Sequence, residues 1–209
     1  MEKDKHYCIC IGRKFCSGGR NVAAMVADRL GIKVYDRDLL KKAAQNTGFS
    51  EQFFDEADEE KTRKGLRSLF MSHIGGTLLS NNYLSNESIF NMQSEAIRHI
   101  HEQEDCVFIG RCSDYVLRDS DRLLNVFIAA TTDDRVARVC RHADDNMTPA
   151  KALSLIEDID RKRASYYNYF TGRTWGDPAV YDLCLNSTVL GYDKCADIIV
   201  ELAKERLGI

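Results

Sequence analysis

Residues 17–21 read Ser-Gly-Gly-Arg-Asn, a set of residue types suited to holding an anion. The two glycines tolerate positive φ, so successive backbone amides can face one concavity. If a helix begins here, its first amides have no intrahelical partner and its dipole favours negative charge. Arg20 adds a full positive charge on a planar fork that grips phosphate oxygens at two points. Asn21 offers an amide oxygen able to meet a divalent cation directly or through water. The nearest general pattern is the phosphate loop G-x-x-x-x-G-K-[ST]. In that register residues 14–21 read Lys-Phe-Cys-Ser-Gly-Gly-Arg-Asn, and only the second glycine matches. Arginine stands where the pattern has lysine, and asparagine where it has a hydroxyl. Taken alone, the stretch fits a tight strand-to-helix turn as well as a phosphate cradle.

A cradle of this kind needs a strand before it and a helix after it. Apolar runs bounded by turn signals predict strands at 7–11, 32–35, 106–109, 123–129 and 183–185. Several are continuously apolar, as strands covered on both faces should be. Helical spacing predicts helices at 21–30, 88–104, 133–142, 149–169 and 193–207. Thr148-Pro149 is a capping residue followed by proline at the first helical position. The alternation of strand and helix predicts an α/β fold: a parallel sheet with helices on both faces. Between about 38 and 86 the order loosens, with the charge run EADEEKTRK and the turn-rich SHIGGTLLSNNYLSN. This segment is expected to be a helical insertion after the second strand.

The remaining composition narrows the function. The chain has 209 residues and a net charge of −3, which argues against a general nucleic-acid binder. No stretch approaches the roughly 20 apolar residues that span a bilayer. The charged N-terminus MEKDKHY runs straight into a strand, so no signal peptide is expected and the location is read as cytoplasmic. Eight cysteines include one C-x-C in a strand and no paired C-x-x-C, so reduced structural thiols are expected rather than a metal site. Cys16 is the exception, because a thiol beside a helix N-terminus can have a lowered pKa. His99 and His101 lie two apart on a helix and point to different faces.

Several segments in order carry a resemblance. Gly18-Gly19-Arg20 and then LGIKVYDRDLL, FIGRCSDYVL, FIAATTDDRVARV, DIDRKRASYY and LCLNSTVLGYDKCADII together resemble the cytidylate kinase-like proteins, within the nucleoside monophosphate kinase group. The resemblance implies a P-loop kinase fold: a five-stranded parallel core, a lid at about 146–175, and a helical insert at about 38–86 that holds the phosphate acceptor. It implies ATP and Mg²⁺ as cofactors, with Ser17, Gly18, Gly19, Arg20 and Asn21 binding the nucleotide. Arg20 stands where the loop lysine holds the β- and γ-phosphates. Arg111 stands where an arginine grips the acceptor phosphate. Asp160 and Arg163 match lid residues that face the acceptor and the transferring group, so Arg20, Asp160 and Arg163 are the candidate catalytic residues. Asp36, Arg37 and Lys42, with Arg111 and Arg163, are the candidate acceptor contacts. No protein metal ligands are assigned. Arg135 and Arg138 lie three apart on one helix and are further candidates. The segments 38–86 and 146–175 are expected to close over ligand, because phosphoryl transfer must exclude water.

The departures bear on function. The family's acid before Gly-Arg is replaced by Ile109, which removes an expected water-mediated Mg²⁺ anchor. The family's small acceptor-side residues are replaced by Arg37 and Asp38. The leading expectation is ATP-dependent transfer to a small phosphorylated or hydroxylated acceptor, with CMP or dCMP the default by resemblance. The alternatives are a nucleotide-binding regulator with lost or weak turnover, and a small-molecule kinase with a non-nucleotide acceptor.

Overall fold

The computed structural model describes residues 5–36, 86–143 and 146–209. Five strands form one parallel sheet: β1 (Cys8–Arg13), β2 (Lys33–Tyr35), β3 (Cys106–Ile109), β4 (Leu123–Ala129) and β5 (Leu183–Asn186). Their spatial order is β2-β3-β1-β4-β5. The central strand therefore pairs on both sides, Cys10 opposite Phe108 and Asn125. All pairings are parallel, so every strand ends at the same edge, where α/β folds bind ligands.

Among the described residues there are six helices: α1 (Gly19–Leu30), α2 (Asn86–Gln103), the single turn α3 (Ser113–Val116), α4 (Thr132–His142), α5 (Pro149–Thr171) and α6 (Ser187–Leu207). The alternating side chains of β1 explain the two layers. Ile9 and Ile11 enter a core with Val22 and Val26 of α1 and Ile199 of α6, all fully buried. Cys8 and Cys10 face the opposite core, with Ile97 of α2 and Phe108. Continuously apolar strands are thus satisfied on both faces, as the sequence predicts.

The elements depart from expectation mainly at their ends. Helix α1 starts at Gly19, two residues before the predicted start at Asn21. The last helix begins at Ser187, where the Asn186 side chain accepts from the Thr188 amide, 3.0 Å. Gly191 then breaks it with φ 75°, ψ 168°, and the predicted helix resumes beyond that break. The one-turn α3 and a 3-10 turn at Pro178–Val180 are too short for periodicity to reveal.

A third core joins the site to the helices beyond it. Phe15, from the turn after β1, is buried with Val139 of α4 and with Ala152, Ile156 and Ile159 of α5. This contact puts α5, the expected lid helix, directly against the turn. Trp175 anchors the connection that follows: its ring meets Phe127 edge-on at 5.3 Å. Tyr166, Tyr169 and Phe170 pack together, and Phe170 stacks on Phe90 of α2 at 4.3 Å. The expected acceptor insert, apart from its last residue Asn86, lies outside the described residues, and so do the candidate contacts Arg37 and Lys42.

Candidate phosphate-binding site

The turn after β1 is built so that its amides are left over. The Lys14 amide donates to the Ile128 carbonyl, 3.0 Å, and the Ser17 amide to the Lys14 carbonyl, 3.3 Å. Gly18 is the N-cap of α1 at φ 79°, and no side chain caps the helix. The first helical bond is from the Val22 amide to the Gly18 carbonyl, 3.0 Å. The amides of Gly18, Gly19, Arg20 and Asn21 therefore find no acceptor among the described residues. Both glycines are required by space. A Cβ on Gly18 would lie 2.2 Å from the Tyr192 ring, and one on Gly19 would lie 2.5 Å from the Arg13 Cβ.

The carbonyls of the same turn are all tied down. Arg163 Nη1 donates to the Arg13 carbonyl, 3.1 Å, and Arg135 Nε to that of Phe15, 2.6 Å. Arg138 Nη1 donates to the Cys16 carbonyl, 3.1 Å, and Ser187 Oγ to that of Ser17, 2.5 Å. In a trans peptide, carbonyl and following amide point opposite ways. Holding the Ser17 carbonyl against Ser187 therefore aims the Gly18 amide the other way. Asp160 completes the brace: it accepts from the Phe15 amide at 2.8 Å and from Arg135 Nη2. Lys14 Nζ lies 3.8 Å from the same carboxylate and 4.9 Å above the Trp175 ring. The Ser17 hydroxyl is fully buried and has no hydrogen-bond partner among the described residues.

Positive charge converges beside the free amides. Arg13, Arg20, Arg111 and Arg163 are electrostatic neighbours. Burial pulls the Arg13 guanidinium well below its ordinary pKa, and repulsion from Arg163, Arg111 and Arg20 adds to the fall. Burial also brings Arg163 down to about 10, against the opposing pull of Asp160. Arg20 is half-exposed and pairs with Asp36 at 3.0 Å. Arg111 and Cys112 both adopt left-handed φ, 60° and 55°, directly after Gly110 at φ 68°. Such conformations cost about 1–3 kcal/mol each for ordinary residues, and this turn and Cys16 hold all the non-glycine cases among the described residues.

The candidates thus separate by position. Ser17 to Asn21, Asp36, Arg111 and Arg163 lie together at the strand ends. Asp160 is 8% exposed and holds the turn from behind. Arg161 forms a surface pair with Asp158, 2.7 Å, while Arg163 on the same helix reaches the loop. Arg135 and Arg138 contact loop carbonyls. Cys16 corrects an expectation: burial raises its thiol pKa, outweighing the neighbouring arginines that lower it. Ile109 is buried in the core, and no group of three metal-ligating side chains occurs among the described residues. Arg13 and Ser187 escape the sequence reading. The available signal for Arg13 is a charge at the end of an otherwise apolar strand.

An uncapped helix start at the end of the central strand, on a parallel sheet of this order, defines a P-loop kinase fold. The chain belongs to the cytidylate kinase-like family, whose model matches residues 8–189. Among solved structures it is similar to an uncharacterized protein from Eubacterium ventriosum, at 24% identity and TM-score 0.72, covering 96% of this chain and 100% of that one. It is also similar in fold to shikimate kinase from Bacteroides thetaiotaomicron, at 13% identity and TM-score 0.50, covering 97% and 99% of the two chains. A shikimate kinase from Acinetobacter baumannii in complex with shikimate gives 11% identity and TM-score 0.50, with 97% and 95% covered. No protein of curated function matches the chain. No helix among the described residues is long and apolar enough to cross a membrane.

Proposed function

We propose that the chain is an ATP-dependent phosphotransferase acting on a small acceptor. The observation that carries this reading is the set of four unpaired amides, Gly18 to Asn21, beside converging arginines. CMP or dCMP is the default acceptor by resemblance. Phosphoryl transfer needs positioning and charge neutralisation more than covalent chemistry by the protein, and these residues supply both.

The residues present fit a polyphosphate. The amides of Gly18, Gly19, Arg20 and Asn21 would hold its oxygens, Arg20 would add charge, and the orphaned Ser17 hydroxyl lies in the same turn. Mg²⁺ usually takes one or two carboxylates plus phosphate oxygens and water; Asp36, paired with Arg20, would be the carboxylate to serve it. Mg-ATP supplies the phosphoryl group. Arg111 and Arg163 would bind and orient the acceptor, with Arg37 and Lys42 as further acceptor contacts. Asp160 acts as a positioning residue, because it holds the Phe15 amide and Arg135. The lid at 146–175 and the insert at 38–86 are proposed to exclude water around the acceptor.

Arg20→Ala is expected to weaken ATP binding by about 1.5–3 kcal/mol, the scale of a hydrogen bond to a charged group. Calorimetry with unchanged affinity would remove Arg20 from the site. The function itself is tested by steady-state assays of CMP, dCMP, UMP, AMP and phosphorylated metabolites at saturating Mg-ATP. Turnover with at least one acceptor is expected. With CMP it should fall below the usual kinase range of about 1–100 per second, because in the family pattern Arg37 and Asp38 replace the small residues expected around neutral cytosine. CMP turnover within that range would restore a plain cytidylate kinase.

Other observations favour other readings. Ile109 in place of an acid and the Arg20–Asp36 pair suit a nucleotide-binding regulator, which tight ATP binding without turnover on any acceptor would support. The excess of arginines suits a small anionic acceptor that is no nucleotide. The shikimate-bound fold neighbour makes a hydroxylated carboxylate worth including in the acceptor panel.

A further inference from the structure

Arg13 stands apart from the other cations of the site. Arg20 has Asp36 at 3.0 Å, Arg135 has Asp160, and Arg138 has Asp134. Arg163 donates to the Arg13 carbonyl and lies over the Phe15 ring. The Arg13 guanidinium has neither a hydrogen bond nor an ion pair among the described residues. Its place is nevertheless tightly defined. The stem packs on Gly19, where a Cβ would come within 2.5 Å of the Arg13 Cβ. The head packs on Gly110, where a Cβ would come within 2.1 Å of Nη1. The side chain thus runs from the first residue of α1 to the left-handed turn that presents Arg111.

Elementary electrostatics makes this arrangement costly without a ligand. A half-buried guanidinium beside three others, with Asp36 the nearby carboxylate, lacks among the described residues the pairing that buried charges ordinarily have. Two glycines leave the room it occupies, so an anion beside its head would meet a fork already oriented. Its fixed planar donors match phosphate geometry in a way a lysine cannot.

We propose that Arg13 is a direct substrate contact, seating with Arg111 and Arg163 a phosphate dianion separate from the one held on the amides of α1. The seat itself stands on this geometry; that its phosphate is the one carried by an acceptor rests on the phosphotransferase reading. The acceptor class is then a phosphate monoester rather than a neutral alcohol.

The test compares Arg13→Met and Arg13→Lys with the unaltered protein, using inorganic phosphate and ATP as separate probes in calorimetry and thermal melting of ligand-free protein. Arg13→Met keeps the packing of the stem and removes the unpaired charge. Its ligand-free Tm is expected to be equal or higher, while phosphate affinity falls about tenfold or more, the range for losing hydrogen bonds to a charged group. Arg13→Lys should recover only part of that affinity, and ATP affinity should change less than phosphate affinity. Unchanged phosphate affinity in Arg13→Met would overturn the proposal, and so would a lowered ligand-free Tm, which marks a structural role. Phosphate bound through Arg13 in a protein that transfers nothing from ATP would keep the seat and reject the kinase. Transfer from ATP with phosphate affinity indifferent to Arg13 would do the reverse.

Discussion

Asp160→Ala is expected to destabilise the protein by about 3–5 kcal/mol, the cost of leaving a buried charge without its partner. Arg135 and Asp160 are 5% and 8% exposed, so Arg135 would keep its charge away from water. The same change strips the acceptor from the Phe15 amide and the nearby carboxylate from Lys14. Replacing both partners, as Arg135→Met with Asp160→Leu, should cost less than Asp160→Ala alone, because no unpaired charge remains. Urea denaturation of the three variants measures this. A loss below about 1 kcal/mol for Asp160→Ala, the level of an exposed ion pair, would show that the pair does not brace the loop.

Gly18→Ala has the second large effect, and it acts on stability and binding together. A left-handed conformation costs a non-glycine residue about 1–2 kcal/mol. The added methyl would also lie 2.2 Å from Cε1 and 2.5 Å from Cζ of Tyr192, and forced overpacking costs about 1–3 kcal/mol. Either the ring or the turn must move, and a moved turn misaims the amides of residues 18–21. ATP affinity should therefore fall along with Tm. Combining Gly18→Ala with Tyr192→Ala removes the clash but not the backbone strain, so stability should return in part. Full recovery in the double variant would mean that the left-handed geometry contributes nothing.

How far the site was legible in the sequence depends on how local its causes are. The strands were readable because Ile9, Val107 and Val126 belong to apolar runs buried on both faces. The start that periodicity predicts for α1 lies two residues late, since Gly18 and Gly19 carry no apolar periodicity; their role shows only in φ and in the space beside Tyr192 and Arg13. The anion cradle was readable from Ser17-Gly18-Gly19-Arg20, whose effect is local to the backbone. The bracing was not. Asp160 lies 145 residues from the amide it accepts, and Ser187 lies 170 from the carbonyl it donates to. No pattern within either segment announces such a contact. Resemblance put Asp160 in the site, but only packing distinguishes a residue that faces a substrate from one that holds the loop behind it. Arg13 is not legible in the sequence, because a terminal strand residue reads as ordinary surface and only the room left by Gly110 and Gly19 marks it.

The central claim is that this loop, without the usual lysine, still holds phosphate on its own backbone. Backbone amide NMR during a titration with Mg-ATP tests it most directly. The resonances of Gly18, Gly19, Arg20 and Asn21 are expected to shift most, and with one common affinity. Those of Phe15 and Ser17, whose amides already donate to Asp160 and to the Lys14 carbonyl, should move less. Saturable ATP binding that leaves the four amides unmoved, or no binding at all, would contradict the account.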